Sequence, residues 1–593
     1  MKLILKYMKK YKGLVILNII SVFGFALVEL GIPTIMSKVI DNGIANNDID
    51  YVVRVGSIIV VISILGTMGT ILLGYCSSKI STSITRDIRN DIFIKSQEFS
   101  HSEYDKFGIS SMITRTTNDA FQILQFTNVV LRTALLTPVM FMVSLIMIVR
   151  TSLSLSVILA VTVPFIVLGV AIIAKISHSI SEEQQKNMDK LNRISRENLT
   201  GVRVIRAFGN DEYEKERFEG INHTYAEISK RLFKLMAISQ PAFFGLLNMA
   251  ILAIFWISSN MISSQTLQVG QLVAFIEYLF HAMFSIMLFS MVFIMYPKAQ
   301  VSANRIEELL NTEPIIKSPK NGVLETGTRG LIEFDNVTFT YPEGEEPVLK
   351  DISFKAEKGQ KIAFIGSTGS GKSTLINLIP RFYDVTKGSI KIDGVDVREY
   401  DLKALRNKIG FIPQKTLLFT GTIGSNIRFG KIDADKIELE HSAKVAQAYD
   451  FISKKPRKFE EAISEGGKNV SGGQKQRLSI ARALVRKPEI YIFDDSFSAL
   501  DFKTDAVLRE RLKEEVTDSV VLVVAQRIGS ILDADKIIVL NEGEIVGTGT
   551  HRELLDSCEI YKEIALSQLT EEDLEDEKVN IYSKESFFLC KTI

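Results

Sequence analysis

The sequence predicts a membrane α-helical domain, with six transmembrane helices that extend into the cytoplasm, followed by an α/β domain built around a phosphate-binding loop. Two observations predict this order. Apolar character concentrates before about residue 300, in stretches long enough to cross a bilayer. Later, a glycine-rich pattern stands between a strand-like apolar run and a helix-like run. A length of 593 residues leaves room for both parts.

Composition narrows the classes of partner. Hydrophobic residues make up 46% of the chain and its formal net charge is +1. Since it lacks a Lys/Arg block and an aromatic-basic stripe, we expect no nucleic-acid partner. Its three cysteines, Cys76, Cys558 and Cys590, lack paired spacing. We therefore expect neither a disulfide framework nor a zinc site. The α/β domain is expected to lie in a reducing cytosol.

The membrane domain is predicted to span residues 1–310. Residues 1–12 are basic and amphipathic and lack a small-residue cleavage site after the apolar run that follows, which favours an interfacial elbow helix over a signal peptide. Six apolar stretches follow, each long enough for a hydrocarbon core of about 30 Å. They lie near 14–36, 52–75, 128–149, 154–176, 238–262 and 271–296.

Positive charge predicts the orientation. Lys and Arg residues cluster between spans two and three and between spans four and five, whereas the other connections are short and carry little positive charge. By the positive-inside tendency the two basic segments are cytoplasmic. The chain is therefore expected in the cytoplasmic membrane, in contact with membrane lipid, with both termini and the α/β domain in the cytoplasm.

The second half divides into three parts. Pro314, Pro319 and Gly322 mark residues 311–330 as a linker. The α/β domain is expected over 331–568. Residues 569–593 begin with an acidic run and are predicted to form a flexible tail.

The phosphate-binding loop matches the pattern G-x-x-x-x-G-K-[ST] in full, after the apolar run 361–365 and before the helix-like run 374–379. Backbone N–H groups would face the phosphates of ATP, Lys372 would add a charge, and Ser373 would offer a hydroxyl to Mg²⁺. The predicted nucleotide-binding residues here are Gly366, Ser367, Thr368, Gly369, Ser370, Gly371, Lys372, Ser373 and Thr374.

Two further elements follow. The apolar run 490–494 ends in Asp494, as a buried parallel strand would deliver a Mg²⁺-side carboxylate to its edge. Between this run and the loop, Ser471, Gly472, Gly473 and Gln474 begin a helical stretch and could form a second anion-binding helix start.

The order of these three elements resembles the ATP-binding cassette (ABC) family, and the resemblance covers nearly the whole chain. It implies a P-loop NTPase fold and, with the membrane part first, an exporter half-transporter. It further implies that Gln414 contacts Mg²⁺ and the membrane domain, and that the loop ending at Asp501 crosses to the opposite subunit. Tyr341 would stack on adenine and Glu465 would be a transmission-loop acid, although a strand-end aromatic and a solvated charge remain alternatives.

The exporter resemblance also implies two short coupling helices between long membrane helices. They would fall near residues 99–108 and 207–211, inside the two basic segments.

Two residues depart from the family pattern at one nucleotide site. The residue after Asp494 is Asp495, where the family places a glutamate that polarises the attacking water. Gln526 stands where the family places a switch histidine, and glutamine cannot become cationic. With every binding element intact, we interpret this as a site that holds ATP more than it splits it.

Cassettes of this family pair head to tail, so each site combines the phosphate loop of one chain with the Ser-Gly-Gly of the other. The intact Ser471 segment could complete a working site on a second half-transporter. A heterodimer is therefore expected, with hydrolysis mainly at the partner's site. A homodimeric exporter and an ATP-binding regulatory subunit that does not transport remain alternatives. The six spans argue against a soluble ABC ATPase of the DNA-repair type.

The substrate path should show ionisable residues inside the spans. The candidates are Glu29, Arg132, Glu277 and His281. Glu277 and His281 are four residues apart and share a helix face. They could line a cavity for a small lipophilic substrate, or form an interhelix pair or lie near the outer headgroups.

Overall fold

The computed structural model describes residues 1–327, 329–342 and 344–568. The chain divides into two compact units. The first comprises residues 1–97 and 108–312, and the second comprises residues 98–107 together with the described residues after 312. The predicted flexible tail, 569–593, lies outside the described residues.

The first unit is helical throughout. Its long helices are joined or interrupted by π-helical turns at Val39–Ile44, Arg115–Asp119 and Val130–Ala134. The helices from the N-terminus to the end of this unit, including the short α4 of the second unit, are α1 (Lys2–Met8), α2 (Lys12–Lys38), α3 (Ile49–Glu98), α4 (His101–Phe107), α5 (Ile109–Thr114), α6 (Ala120–Val129), α7 (Leu136–Thr151), α8 (Leu153–Phe208), α9 (Asp211–Ser263) and α10 (Val269–Asn311).

Among the residues that the structure describes, six helical stretches are long and apolar enough to cross a membrane, as the hydropathy of the sequence predicts. They cover Lys2–Ile44, Ile49–Glu98, Ile109–Thr151, Leu153–Phe208, Asp211–Ser263 and Val269–Asn311. The shortest have 43 residues and the longest 56. At about 1.5 Å per residue they measure roughly 65 to 84 Å, more than twice the thickness of a hydrocarbon core. The helices therefore extend well beyond a bilayer.

The second predicted coupling helix, near 207–211, is absent as a separate helix among the described residues. Helix α8 runs without interruption to Phe208, and α9 begins at Asp211. Gly209 takes the left-handed conformation (φ +67°) that commonly ends a helix, and Asn210 completes the turn. The acidic first turn of α9 then favours an immediate helix start.

The first predicted coupling segment does contain a short helix, α4, which packs within the second unit. The ring of His101 stacks on Phe382 with centroids 4.6 Å apart. The hydroxyl of Tyr383 donates to the Asp105 carboxylate at 3.4 Å, and the N–H of Ile315 donates to Glu103 at 3.1 Å. The sequence placed these residues in the membrane domain, but their contacts lie with the second unit.

The second unit is an α/β fold. Its strands are β1 (Ile332–Phe339), β2 (Leu349–Ala356), β3 (Lys361–Gly366), β4 (Lys387–Ile392), β5 (Val395–Asp396), β6 (Ile409–Ile412), β7 (Gly421–Thr422), β8 (Ala462–Ile463), β9 (Ile490–Asp494), β10 (Val520–Val524), β11 (Lys536–Asn541) and β12 (Glu544–Gly549). They form sheets in the orders β2-β1-β4-β5, β12-β11-β3-β10-β9-β6 and β7-β8.

The helices of the second unit after the linker cover the sheets and carry the motifs. They are α11 (Lys372–Leu378), α12 (Leu402–Asn407), α13 (Ile423–Arg428), α14 (Lys436–Val445), α15 (Tyr449–Ser453), α16 (Gly472–Leu484), α17 (Phe502–Glu515), α18 (His551–Ser557) and α19 (Glu559–Leu566).

Three parallel strands at the centre of the six-stranded sheet position the site. Strand β10 pairs in parallel with β3 on one side and β9 on the other. Its last residue, Val524, lies opposite Phe364 and Asp494. All three strands are almost entirely buried, which explains their continuous apolar sequences. Because parallel strands end at one edge, the segments after them converge there.

The predicted linker is hydrogen-bonded to the α/β fold at several points, through Lys317, Ser318, Val323 and Thr326. Val323 donates its N–H to Glu399 and accepts from the N–H of Asp401, at 3.0 and 3.1 Å. These backbone bonds therefore attach the linker, which precedes β1, to the α/β fold.

Candidate functional site

The phosphate-binding loop connects β3 to α11 and requires its glycines for close approach. A Cβ at Gly366 would lie 2.0 Å from the Leu540 carbonyl oxygen, and one at Gly371 would lie 2.7 Å from a methyl carbon of Leu349. The ammonium group of Lys372 folds back over the loop and donates to the Gly366 and Ser367 carbonyls at 2.9 and 2.7 Å. Burial lowers the Lys372 pKa.

A cavity of about 590 Å³ opens over this loop at the carboxyl edge of the sheet. It brings together most of the residues that the sequence predicts for one nucleotide site. It is lined by Val348, Gly366, Ser367, Thr368, Gly369, Gly371, Lys372, Ser373, Thr374, Gln414, Asp494, Asp495, Val524, Gln526, Ile564 and Gln568.

Asp494 ends β9 and faces the start of α11. Ser373 donates its hydroxyl to Oδ1 of Asp494 at 3.1 Å. Burial raises the pKa of the Asp494 carboxyl, and the neighbouring charge of Asp495 raises it further, while the Ser373 hydrogen bond opposes both. A hydroxyl and a carboxylate side by side are the oxygen donors that Mg²⁺ prefers.

Asp495 leaves the strand in a left-handed conformation with φ +46°. Its N–H still donates to the Val524 carbonyl at 3.0 Å, so the backbone stays on the sheet while the side chain turns into the cavity. There, Oδ2 accepts a hydrogen bond from Nε2 of Gln414 at 3.1 Å. Burial is the largest effect on the Asp495 pKa and raises it.

Gln526 follows β10 by two residues and lines the same cavity. Ala525 is still held by the sheet, because its N–H donates to the Phe364 carbonyl at 3.1 Å. Beyond it, the Gln526 carbonyl accepts from the side-chain amide of Gln568 at 2.8 Å.

Tyr341 is held against other aromatic rings beside the cavity. Its ring centroid lies 4.9 Å from that of Phe339 and 5.3 Å from that of Tyr383, both edge to face. Its hydroxyl lies 3.0 Å from Oγ1 of Thr374, so the side chain reaches the end of the phosphate-binding loop.

The Ser-Gly-Gly segment lies apart from this cavity and starts α16. Ser471 and Gln474 form a reciprocal capping box: each accepts a hydrogen bond from the other's N–H, at 3.3 and 3.1 Å. Gly473 packs near the loop that leads to Asp501, since a Cβ there would lie 3.3 Å from the Ala499 carbonyl oxygen. Asp501 itself caps α17 by accepting from the Thr504 N–H at 3.0 Å.

Two amide contacts at the site carry no signal in the sequence. Thr416, two residues after Gln414, donates its hydroxyl to Gln476 of α16 at 2.5 Å. Gln568 reaches the segment after β10 from the end of the chain's last described helix. Both contacts join residues far apart in sequence, and no spacing pattern predicts them.

In the first unit, three of the four predicted substrate-path residues lie together. His281 on α10 interacts electrostatically with Glu29 on α2 and with Glu277, one helical turn away. His281 is half-buried, whereas Glu277 is exposed. Arg132 lies exposed on the π-helical turn Val130–Ala134 and is not among the groups that act on His281.

Comparison with known families matches both units. Residues 15–296 match the family described as ABC transporter transmembrane region, and residues 349–498 match the family described as ABC transporter.

Several curated proteins are similar over nearly their whole length. An uncharacterized ABC transporter ATP-binding protein of Mycobacterium tuberculosis (strain CDC 1551 / Oshkosh) is 38% identical over 95% of this chain and 98% of its own. The uncharacterized ABC transporter ATP-binding protein YfiB of Bacillus subtilis (strain 168) is 36% identical, over 96% and 99%. The ATP-dependent lipid A-core flippase of Aliivibrio fischeri (strain ATCC 700601 / ES114) is 30% identical, over 91% and 92%.

Among solved structures, a bacterial Atm1-family ABC exporter with ATP bound superimposes with a TM-score of 0.79. The match covers 94% of this chain and 99% of that chain at 24% sequence identity. The likeness shows a shared fold.

Proposed function

This chain belongs to the ABC transporter family, and from that premise we propose that it is the ATP-retaining half of a heterodimeric ABC exporter. Its own nucleotide site binds ATP and cleaves it poorly. Its Ser-Gly-Gly edge completes the hydrolysing site of a second half-transporter. The observation that carries the proposal is that Asp495, Gln414 and Gln526 line one cavity together with the phosphate-binding loop.

The position of Asp495 supports slow hydrolysis. A water-activating carboxylate must lie within hydrogen-bond reach of the attacking water. Aspartate is shorter than glutamate by one carbon–carbon bond, and this side chain is directed to Gln414 at 3.1 Å. A misplacement of about 1 Å can cost roughly a hundredfold in rate.

Gln526 supports the same conclusion. Its amide can donate one hydrogen bond towards a γ-phosphate oxygen and so help to hold ATP. It cannot carry the positive charge that an imidazolium would place beside the phosphate as charge develops. Binding is therefore kept while stabilisation of the transition state is reduced.

The residues present fit a magnesium ion beside the phosphates. Ser373 and Asp494 would hold it, with Gln414 close by in the same cavity. Mg²⁺ bound there would neutralise part of the phosphate charge. Lys372 exchanges its loop carbonyls for phosphate oxygens, Tyr341 stacks on the adenine, and the backbone N–H groups of residues 366–374 hold the phosphates.

The signature edge supports a partner. Ser471, Gly472 and Gly473 form an intact capped helix start, which suits an anion, yet the described part of this chain does not fold it onto its own cavity. A γ-phosphate held by a second half-transporter would dock there, with Gln474 closing the cap and Asp501 fixing the adjacent loop. That partner supplies the glutamate and the histidine that this chain lacks.

We place the transporter in the cytoplasmic membrane with both termini and the cassette in the cytoplasm, in accord with the basic segments between its spans. ATP draws two cassettes together, closure moves the membrane helices, and cleavage at the partner's site releases them. ATP kept at the Asp495 site holds the cassettes partly associated between cycles.

We assign a small lipophilic substrate to the membrane unit. The lipid A-core flippase among the relatives supports an amphiphilic cargo. Glu29, Glu277 and His281 would supply the polar contacts, and Arg132 a separate positive charge on the path. Transport of a lipophilic cationic dye should fall several-fold in Glu277→Gln, whereas unchanged transport would count against this path.

The first test of asymmetry uses this chain alone, purified in lipid nanodiscs. We expect tight ATP binding with turnover at a small fraction of that of a competent exporter. Full turnover that Asp495→Ala abolishes would support the alternative of a homodimeric exporter. Binding without any vectorial transport by the assembled complex would support the alternative of a regulatory subunit.

A further inference from the structure

The segment after β10 is held by a side chain from the end of the described chain. Nε2 of Gln568 donates to the Gln526 carbonyl at 2.8 Å, and Oε1 of Gln568 accepts from the Ile528 N–H at 2.9 Å. One primary amide thus satisfies a carbonyl and an N–H two residues apart, as a neighbouring strand would.

The Gln568 side-chain amide supplies backbone hydrogen bonds directly after the last residue that is bonded to the sheet. The N–H of Ala525 still donates to the Phe364 carbonyl of β3, and the next turn starts where the N–H of Ser530 donates to the Arg527 carbonyl at 3.3 Å. Between these two anchors lies Gln526, whose side chain lines the nucleotide cavity. The Gln568 bonds therefore fix the backbone at the one point where the direction of the Gln526 side chain is set.

We call the two hydrogen bonds of Gln568 to residues 526 and 528 the tether. The helix that precedes Gln568 is itself held in place by buried contacts. Helix α19 is anchored by Tyr561, which is fully buried and whose hydroxyl lies 2.7 Å from Nδ1 of His551. The chain continues from α19 in a turn, because the N–H of Gln568 donates to the Ala565 carbonyl at 3.0 Å. Ile564 lies four residues earlier and lines the nucleotide cavity together with Gln568.

We propose that Gln568 is a positioning residue for nucleotide retention: its two hydrogen bonds hold Gln526 where the Gln526 amide meets the γ-phosphate of ATP. This inference rests on the proposed function, since it assigns Gln526 to the γ-phosphate. Its particular consequence is selectivity. ADP has no γ-phosphate, so loss of the tether weakens ATP binding and leaves ADP binding unchanged.

The experiment measures the affinities of the purified full-length chain for ADP and for a non-hydrolysable ATP analogue. Gln568→Leu keeps the volume and removes both hydrogen bonds. We expect the affinity for the ATP analogue to fall about tenfold, the order of one hydrogen bond from the Gln526 amide to a charged γ-phosphate oxygen, with ADP affinity unchanged. Gln447→Glu, at a half-buried cassette glutamine that does not line the cavity, is the control and should change neither affinity.

A second variant separates positioning from folding. In Gln568→Glu the ionised carboxylate can still accept from Ile528 but repels the Gln526 carbonyl, while the protonated acid can donate to it. Because Asp494 in the same cavity also takes up protons in acid, each affinity is compared with that of the wild type at the same pH, and the ATP defect relative to the wild type should shrink as the pH falls towards the pKa of glutamate. A purely structural defect would lower ATP and ADP affinity together at every pH, and would overturn the proposal.

A double-mutant cycle isolates the inference from its premise. In a Gln526→Ala background, Gln568→Leu should have no further effect on ATP affinity, because no amide is left to position. If Gln526→Ala does not lower the preference for ATP over ADP, the assignment of Gln526 fails. If it does, but Gln568→Leu alone does not, the role of Gln568 is wrong and the proposed function stands.

Discussion

The two edges of one cassette differ in how closely they keep the residues of the ABC family pattern. At the carboxyl edge of the sheet, the phosphate-binding loop is complete, yet the cavity beside it is lined by a short carboxylate, Asp495, and an uncharged amide, Gln526. At the start of α16, Ser471 and Gln474 keep a full capping box and the glycines are intact. Under the proposed function, both departures from the family pattern fall at the edge that this chain would use itself, while the edge that it would lend to a partner keeps the family's residues.

A substitution at the signature edge, the Ser-Gly-Gly start of α16, should have the largest effect on ATP turnover. Gly473→Asp would set a carboxylate at the start of a helix where a phosphate is to dock, and the charges repel. We expect ATP turnover of the assembled transporter to fall by about a hundredfold or more. ATP affinity of this chain alone should stay unchanged. Equal loss of affinity in the isolated chain would place the signature in this chain's own site and break the comparison.

Restoring the family's residues beside the phosphate-binding loop should have the next largest effect on ATP turnover. Asp495→Glu combined with Gln526→His returns the reach and the titratable ring that the family pattern implies. We expect turnover at this chain's own site to rise roughly tenfold to a hundredfold, since each group acts in the transition state. The single changes should give much less. No gain in the double variant would mean that geometry other than these two residues limits cleavage.

Most of the predicted nucleotide-binding residues line one cavity, because the motifs are local in sequence and the strands bring them to one edge. Gly366 to Ser373 follow β3 and Asp494 ends β9, so parallel pairing alone brings them to one edge. The six spans were likewise predicted by hydropathy. The long-range hydrogen bonds of Gln568 and Thr416 were not predicted, because a hydrogen bond between residues far apart in sequence leaves no periodic pattern. The turn at Gly209 replaced an expected helix because α8 and α9 each reach it uninterrupted.

Acid should weaken magnesium-dependent ATP binding at an unusually high pH. Asp494 must be ionised to hold the cation, and burial together with the Asp495 charge raises its pKa. Protons therefore begin to compete above the range of an exposed aspartate, about pH 4. Titration of Mg·ATP affinity should show this loss, and Asp494→Asn should bind weakly with a flat profile. A wild-type profile that stays level down to the range of exposed carboxyls would contradict the assignment.

The stability of the empty cassette should change in the opposite direction. Because the pKa values of Asp494 and Asp495 are raised in the fold, the folded state binds these protons more tightly than the unfolded chain. These two groups therefore stabilise the fold as the pH falls through their raised range.

The smallest effect on turnover should come from removing a hydrogen bond that lies between the two edges of the cassette. Gln414 bonds to Asp495, and Thr416 bonds to the buried Gln476 on the signature helix. Thr416→Val leaves the Gln476 carbonyl unsatisfied, so we expect turnover of the assembled transporter to fall about two- to fivefold. Affinity of the isolated chain for ATP should not change. Thr416→Ser keeps the hydroxyl and should restore turnover; a Ser variant as slow as Val would place the effect elsewhere.

The central claim is tested most directly by identifying the nucleotide on each chain of the assembled transporter during turnover. A photoreactive, radiolabelled ATP crosslinked in the working complex, followed by separation of the two chains, reports both sites at once. The account predicts intact triphosphate on this chain and cleaved diphosphate on its partner. Equal amounts of cleaved diphosphate on both chains would contradict it.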